Sequence, residues 1–501
     1  MTTRDQYQRL LKRYAECSDL SFAASLLSWD QETMMPPKGL AARAEQLATL
    51  AGIRHDLFTA NEVCGWLADC EARLVEFDEV ERAQLRELRR ELDRVARVPR
   101  DLVEELARTQ TEALDAWRFA REKNDFPRFE PYFVRLVHLC SRKADAIGFE
   151  EERIDALLDE YERGATARSI ASLFEGLKSE LSILLGEVRA RPPVDDSCVL
   201  AEFDEKGQAE LGLKVIRALG FDMEAGRVDV SSHPFCSTMG DGDIRLTRRF
   251  HKNDLRTALF GIIHEAGHGM YEQGIPSSLR RTPLGDAASL GIHESQSRLW
   301  ENIIGRSEPF AEYLLPLLRS AFPGCFATCT PRDLYRAFNR VEASFIRVEA
   351  DELTYSLHVC LRFEVERALF AGDLEARDVP AVWNEKMRQS LGIVPPNDAD
   401  GCLQDIHWSM GAFGYFPTYT LGNLYAAQLF EAAGRDIAGL EASIRAGRFE
   451  TLRTWLREKV HRKARLLEPH ALIEEATSRK PSPDAFLGHL RKRFTDVYGV
   501  S

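Results

Sequence analysis

The stretch FGIIHEAGHGMYEQG, from Phe260 to Gly274, decides the fold of this chain. Apolar residues recur within it and just before it at the three- and four-residue spacing of an amphipathic α-helix. Asn253 or Asp254 can cap the first turn, and Gly274 can end the helix. The sequence therefore predicts a helix that runs from this cap to about Gln273.

Two histidines of this helix have the spacing of a metal site. His264 and His268 lie one turn apart, so both imidazoles leave the same face and their nitrogens can bind one divalent metal. Glu265 is rotated from that face by about 100°, yet it is near enough to take a proton from a water on the metal. The alternative interpretation is a pair of core histidines whose ring nitrogens bond to backbone groups.

A catalytic zinc site needs a third protein ligand and one open position. Glu294 lies 26 residues after His268, in the segment GIHESQSRLWEN, on a second predicted helix. This is the arrangement of the gluzincin type, and we expect Glu294 to be the third ligand. Its neighbour His293 is the competing candidate. The metzincin pattern HExxHxxGxxH is excluded, because residues 269–272 read GMYE.

A short β-structure precedes the metal helix. The runs SSHPFCSTM and DIRLTRRF flank Gly240-Asp241-Gly242, which predicts a β-hairpin. Ile244 and Leu246 alternate with polar residues in the second arm, so we expect one apolar face and one polar face.

Helical periodicity dominates the rest of the chain, including the stretches 40–70 and 331–372. The Pro-rich segment 191–193 interrupts it. We therefore expect an all-α enzyme with a small hairpin. Residues 1–501 would form a single peptidase unit, with an N-terminal helical layer at 1–195 and a metal-binding half at 196–501.

Composition excludes several classes of protein. The formal net charge is −13, which argues against nucleic-acid binding. No run of about 18 apolar residues is present, so we expect no membrane span. The N-terminus lacks the apolar segment of a signal peptide. The ten cysteines are scattered without CxxC pairs, as is usual for reduced thiols. We therefore expect a soluble, cytoplasmic protein.

Seven short motifs occur in order along most of the chain. They are WDQETMMPPKG (29–39), HPF (233–235), DIRLT (243–247), HEAGH (264–268), HESQ (293–296), IRVEAD (346–351) and GCLQDIHW (401–408). Together they resemble the carboxypeptidase Taq family of metallocarboxypeptidases.

The resemblance implies a fold and an activity. Members of the family are mostly helical, with a deep groove between two helical halves and a short β-structure beside the metal, similar to the neurolysin and angiotensin-converting-enzyme group. They remove single residues from the C-termini of peptides, with broad specificity and poor action before proline. They are usually homodimers and use zinc or cobalt. For this chain we therefore expect one divalent metal, zinc rather than cobalt, and peptide substrates with a free C-terminus.

The mechanism that follows assigns roles to the motif residues. His264, His268 and Glu294 hold the metal, and Glu265 takes the proton of a water that the metal activates. By analogy with related peptidases, His407 and Tyr419 are the candidates to stabilise the oxyanion, with Tyr415 as the alternative tyrosine.

An exopeptidase must also recognise the terminal carboxylate of its substrate, and the planar fork of an arginine suits this. Arg347 is the preferred candidate and Arg245 the alternative, although Arg347 could instead pair with Glu349 or Asp351. Gln404 and Asp243 are expected to orient neighbouring groups. An oligopeptidase that cuts internal bonds, a peptide-binding protein with a vestigial site and a structural zinc site are the competing functions.

Overall fold

The computed structural model describes residues 2–231 and 233–500 and is mostly helical, which confirms the predicted fold class. Among these residues, no helix combines the length and the apolar character needed to cross a bilayer. The α-helices of the described residues are α1 (Thr3–Thr33), α2 (Leu40–Phe58), α3 (Asn61–Glu71), α4 (Glu79–Arg97), α5 (Arg100–Lys123), α6 (Phe126–Ile147), α7 (Asp155–Tyr161), α8 (Ala167–Arg189), α9 (Glu205–Leu219), α10 (Leu255–Glu272), α11 (Leu290–Arg298), α12 (Glu308–Ala321), α13 (Pro331–Phe338), α14 (Glu352–Ala371), α15 (Val379–Leu391), α16 (Pro417–Asp436), α17 (Leu440–Arg445), α18 (Glu450–Lys459), α19 (Pro469–Thr477) and α20 (Asp484–Tyr498).

The helix predicted around HEAGH is α10. Asp254 is its cap, because the side chain of Asp254 accepts a hydrogen bond from the backbone N–H of Arg256 at 2.8 Å. The helix ends at Glu272, one residue before the predicted end.

Three short strands form one sheet beside α10: β1 (Gly226–Val230), β2 (Cys236–Thr238) and β3 (Ile244–Arg248), in the order β1-β3-β2. The antiparallel pair β2 and β3 is the predicted hairpin. The parallel strand β1 was not predicted. The face of β3 that was expected to be polar is not fully exposed to solvent. Thr247 is buried there, and its hydroxyl accepts a hydrogen bond from the backbone N–H of Phe235 at 2.8 Å.

Two predicted helices are interrupted. The stretch 331–372 is not continuous, because Asp351 accepts hydrogen bonds from two backbone N–H groups and starts α14 as a new helix. The connection between α13 and α14 instead carries the motif IRVEAD, of which Arg347–Glu349 form a short 3₁₀ helix. The stretch 40–70 divides likewise into α2 and α3. Apolar periodicity continues across both breaks, so it does not reveal them.

The buried apolar side chains form two separate clusters. One lies within α1–α4 and includes Tyr7, Leu67 and Leu88. The other begins at Leu102 and extends to Val500, so it joins residues on both sides of position 195. Position 195 itself lies in the connection between α8 and α9. The division at that position stays a prediction.

Candidate metal centre

Three predicted ligand side chains converge between α10 and α11. The Nε2 atoms of His264 and His268 lie 3.6 and 3.3 Å from Oε2 of Glu294. These potential ligand atoms all lie within 4.8 Å of one another. Two imidazoles and one carboxylate are the donor set of catalytic zinc sites, and they leave a coordination position for water or substrate. The donor set therefore fits a divalent metal.

The other ring nitrogen of each histidine is occupied by a hydrogen-bond partner. Nδ1 of His264 lies 2.8 Å from Oε2 of Glu301, and Nδ1 of His268 lies 3.1 Å from the backbone oxygen of His293. Each of these acceptors favours a proton on Nδ1, which leaves the lone pair of Nε2 available for a metal. Such contacts also fix the orientation of the imidazole rings.

Glu294 is held in place by side chains of its own helix. Arg298 donates a hydrogen bond from Nε to Oε1 of Glu294 at 2.6 Å, and the hydroxyl of Ser297 donates to Oε2 at 3.1 Å. Burial raises the pKa of Glu294, but Arg298 and the two histidines outweigh burial and hold it well below its usual range. The carboxyl group of Glu294 is therefore ionised, which is the form that can bind a metal.

Two glycines allow α11 to approach its neighbouring helices closely. A Cβ atom on Gly267 of α10 would lie 2.7 Å from the backbone of Gln296 and of Ser297. A Cβ atom on Gly422 of α16 would lie 2.5 Å from Cγ of Glu294. Only a hydrogen atom fits at either position, so these glycines set the depth at which Glu294 lies.

Glu265 is 7% exposed and lies beside the ligand cluster. Burial raises its pKa to about 7, while the charge of His264 acts in the opposite direction. A carboxyl group with a pKa near neutrality can both accept and release a proton at neutral pH.

His293, the competing third ligand, is not among the side chains that form the ligand cluster. Its Nε2 lies 3.1 Å from Oε1 of Glu272 on α10, and its ring stacks on His268 with 4.4 Å between ring centroids. The structure thus brings a carboxylate oxygen of Glu294, and not a ring nitrogen of His293, to the Nε2 atoms of the two motif histidines.

His407, Tyr415 and Tyr419 form a group of aromatic side chains. Nε2 of His407 lies 3.1 Å from the hydroxyl of Tyr419, and the rings of Tyr415 and Tyr419 are 5.3 Å apart. Burial lowers the pKa of His407 to about 3, so its imidazole is neutral at pH 7. Burial, with the nearby charge of Glu294, raises the pKa of Tyr415 to about 12. Both tyrosines are therefore protonated donors near the ligand cluster.

Arg347 is buried and pairs with neither Glu349 nor Asp351. Its Nη2 lies 2.8 Å from Oδ1 of Asp405, and its Nη1 donates to the hydroxyl of Tyr355 at 2.6 Å. Asp405 also accepts from Nε of Arg362 at 2.7 Å.

Gln404 forms hydrogen bonds with both arginines and with nearby carbonyl groups of the backbone. Its side-chain oxygen accepts from the backbone N–H of Arg347 at 2.8 Å and from Nη2 of Arg362 at 2.6 Å. Its amide nitrogen donates to three carbonyl oxygens, those of Phe345, Asp400 and Gly401. Gln404 thus ties the QDIHW segment to the IRVEAD segment.

Arg245 lies in a different environment from Arg347. Its guanidinium forms two hydrogen bonds with Asp243, at 2.9 and 2.8 Å, and lies over the ring of Trp29 with 4.4 Å to the centroid. Trp29 also faces Arg227 at 5.1 Å. Arg245 therefore joins the sheet to the end of α1.

Comparison with known proteins places this site in a family. The family model for carboxypeptidase Taq (M32) metallopeptidase matches residues 9–494. The chain belongs to this family.

Known relatives and solved structures of M32 carboxypeptidases match this chain over nearly its whole length. The thermostable carboxypeptidase 1 of Thermus thermophilus is 41% identical, with 100% of both chains covered. The carboxypeptidase 1 of Bacillus subtilis is 36% identical, with 99% of both covered. The crystal structure of the M32 carboxypeptidase from Deinococcus radiodurans superposes with a TM-score of 0.96 at 37% identity, covering 99% of this chain and 100% of that one. The predicted family and enzyme class are confirmed: this M32 enzyme is a metallocarboxypeptidase, which implies peptide substrates and a divalent metal.

Sequence reasoning missed several residues that support the site of this M32 enzyme. Glu301 follows Glu294 by seven residues, a spacing that returns to the same helix face after two turns. This spacing is the sequence feature from which Glu301 could have been identified. The sequence does not indicate that a π-helical segment, Leu299–Ile304, directly follows α11. Asp405 lies inside the motif GCLQDIHW, but its partner Arg347 is 58 residues away and is not indicated by the sequence.

Proposed function

We propose that this enzyme removes single amino acids from the C-terminus of peptides that carry a free carboxylate, with His264, His268 and Glu294 as the metal ligands. The observation that carries the proposal is the approach of both Nε2 atoms to one oxygen of Glu294, at 3.6 and 3.3 Å. Glu294 is buried and the two histidines are only partly exposed, so solvent at the reaction site is limited, which strengthens electrostatic interactions there.

We propose zinc as the metal, with cobalt able to replace it, because two imidazoles and a carboxylate form a zinc-type donor set. The bound metal supplies a Lewis acid and lowers the pKa of a water molecule toward about 7. The protein contributes the fixed orientation of the ligands. The proposed ligands His264, His268 and Glu294 are held by Glu301, by the backbone oxygen of His293 and by Arg298, respectively. The ligands therefore need not change orientation during the reaction.

Glu265 is the proposed general base. It accepts a proton from the attacking water and returns it to the amine that leaves. Its burial beside the ligand cluster supports this role, because loss of solvent favours the protonated form of a carboxyl group that must gain a proton in one step and lose it in the next. Tyr419 and the neutral His407 are proposed to donate hydrogen bonds to the oxyanion, and Tyr415 is the alternative donor.

Recognition of the terminal carboxylate is assigned to Arg347. Arg347 and Arg362 share the single carboxylate of Asp405, whose pKa they together hold well below its usual range despite its burial. Burial lowers the pKa of Arg362 to about 10, so it remains charged at pH 7. The group therefore keeps one net positive charge in a buried region, which favours a substrate carboxylate. Gln404 orients Arg347, and Arg245 is the alternative contact.

The resemblance adds three further proposals: broad specificity for the C-terminal residue, a homodimer and a cytoplasmic location. All ten cysteines are free, which supports a reducing compartment.

A pair of blocked tetrapeptides, one with a free C-terminus and one amidated, tests the proposed function. We expect the metal-loaded enzyme to release single residues from the free peptide only. Glu265→Gln should retain the metal and lose about 10²- to 10⁴-fold in kcat. Equal cleavage of both peptides would favour an oligopeptidase over the proposed exopeptidase. Full activity of Glu265→Gln would exclude Glu265 as the general base.

A further inference from the structure

Glu366 of α14 is a fully buried carboxyl group that is not among the proposed metal ligands. Its Oε1 atom accepts a hydrogen bond from Nε1 of Trp408 at 2.8 Å, and its Oε2 atom accepts from the backbone N–H of Gly414 at 2.9 Å. Trp408 and Gly414 lie near the two ends of the 407–416 connection, which leads from the QDIHW segment to α16. One carboxyl group therefore joins both ends of this connection.

The two residues that Glu366 binds are chain neighbours of the proposed oxyanion donors. His407 directly precedes Trp408, and Tyr415 directly follows Gly414. The rings of His407 and Tyr415 lie 5.1 Å apart, and Nε2 of His407 lies 3.1 Å from the hydroxyl of Tyr419. A shift at either end of the connection would therefore move at least one of these donors.

The same face of α14 also binds the residues that precede the connection. Arg362 lies one helical turn before Glu366, so the two side chains leave the helix in the same direction. Nε of Arg362 donates to Oδ2 of Asp405 at 2.7 Å, and its Nη2 donates to Oε1 of Gln404 at 2.6 Å. Two successive turns of one buried helix thus hold successive parts of residues 404–414.

Packing keeps the two donor groups of the connection away from water. The ring of Trp408 contacts those of Phe133 and Trp383, with 5.2 and 5.7 Å between centroids. Gly414 has a φ of +86°, and a Cβ atom there would lie 2.9 Å from the backbone of α7. Because both N–H groups are buried, loss of their acceptor would cost free energy, and the connection would shift to find new partners.

We propose, on the basis of the oxyanion roles proposed for His407, Tyr415 and Tyr419, that Glu366 is a positioning residue for these side chains. It acts by fixing both ends of the 407–416 connection and does not touch the substrate.

A positioning residue of this kind affects the transition state more than the bound substrate. Donors to an oxyanion must be aimed at the place where its charge develops, and a displacement of about 1 Å can cost about 100-fold in rate. The metal ligands and Arg347 do not depend on the contacts of Glu366. Loss of Glu366 should therefore lower kcat and leave both KM and metal affinity nearly unchanged.

The kinetic test compares Glu366→Gln and Glu366→Ala in the full-length, metal-loaded enzyme with a blocked tetrapeptide that has a free C-terminus. Glutamine keeps one acceptor oxygen and alanine keeps none. We expect kcat to fall about tenfold in the first variant and about 100-fold in the second, with KM changed by less than about twofold. Glu352→Gln is the control, because Glu352 is a buried carboxyl group of the same helix that pairs with Arg493 and His489. It should retain kcat.

Hydrogen–deuterium exchange, followed by mass spectrometry without substrate, measures the connection itself. Peptides that cover residues 408–416 should exchange faster in both Glu366 variants and at the wild-type rate in Glu352→Gln. The glutamine variant keeps the shape of the side chain and supplies the result if the alanine variant does not fold.

Faster exchange with an unchanged kcat would overturn the proposal, and so would a loss of kcat without faster exchange. A rise in KM that accounts for the whole loss would assign Glu366 to substrate binding instead. If the wild-type enzyme releases no single residues, the proposed function itself fails, and the exchange measurement distinguishes this result from a failure of Glu366 to hold the connection.

Discussion

Nδ1 of His264 lies 2.8 Å from Oε2 of Glu301, at the opposite side of the imidazole from the cluster of ligand atoms. Burial raises the pKa of Glu301, but Arg298 and His264 outweigh burial and lower it to about 2. An ionised carboxylate at this position holds the Nδ1–H tautomer and increases the basicity of Nε2. Glu301 is therefore a positioning residue for His264.

Replacing Glu301 by glutamine should weaken metal binding by about 10- to 100-fold, because the amide keeps a hydrogen-bond acceptor but loses the charge. The dissociation constant is measured by competition with a chromogenic chelator. Glu352→Gln is the matched control, since the side chain of Glu352 is even less exposed than that of Glu301, at 3% against 13%, and pairs with Arg493 and His489 and not with a proposed ligand. Equal affinities of the two variants would show that Glu301 acts only in packing.

The close approach of Gly422 to Glu294 gives a second prediction. In Gly422→Ala the added methyl group overlaps the side chain of Glu294, so we expect a loss of about 1–3 kcal/mol in stability and about tenfold weaker metal binding. Gly434→Ala, in the same helix α16, meets nothing within 4 Å and should gain up to about 1 kcal/mol from higher helix propensity. Urea denaturation and chelator competition measure the two effects. If the variants bind metal equally well, the position of Glu294 does not depend on this contact.

The two candidate arginines can be separated by conservative substitution. Arg347→Lys keeps the charge but loses the planar fork, so kcat/KM for peptides with a free C-terminus should fall by about 10- to 100-fold, mainly through KM. Arg245→Lys alters an arginine that pairs with Asp243 and lies over Trp29, and we expect kcat/KM to stay nearly unchanged. The reverse ranking in steady-state kinetics would assign the carboxylate to Arg245.

Glu162 gives a prediction for the pH dependence of stability. Its carboxyl group is buried between the backbone N–H of Gly291, at 3.1 Å, and the hydroxyl of Tyr425, at 3.0 Å. Burial raises its pKa to about 7 in the folded enzyme. The folded state thus binds this proton more tightly than the unfolded state, and the resulting stabilisation is complete below about pH 4.5. It is lost as the pH rises to about 7.

In Glu162→Gln this contribution should be absent. The amide can still accept from Gly291, and the hydroxyl of Tyr425 can accept from the amide in return. Relative to the variant, the wild-type enzyme should lose up to about 3 kcal/mol of unfolding free energy between about pH 4.5 and 7. Urea unfolding at several pH values measures this difference. A difference that is constant with pH would mean that Glu162 is ionised throughout.

The sequence predicted the elements whose determinants are local. The cap at Asp254, the spacing of His264 and His268 and the β2–β3 hairpin follow from residues close together in the chain. The break between α13 and α14 was missed because it depends on Asp351 as a cap within a continuous apolar pattern.

Partners that come from distant segments could not be predicted in the same way. Asp405 meets Arg347 across 58 residues, and no local rule selects it over Glu349 or Asp351. Likewise, the contact of Gly422 with Glu294 appears only when α11 and α16 pack together. Pairing of this kind depends on the tertiary fold and not on spacing in the sequence.

The separate apolar cluster of α1–α4 has a consequence for how this enzyme can change over time. These helices meet the remainder partly through ion pairs such as Asp19 with Arg281 and Glu91 with Arg465. A substitution inside their cluster can be compensated by another within the same cluster, without repacking the residues around the proposed metal ligands. The interior of the N-terminal helices can therefore diverge between relatives, whereas Trp29 at the end of α1 remains tied to Arg245 of the sheet.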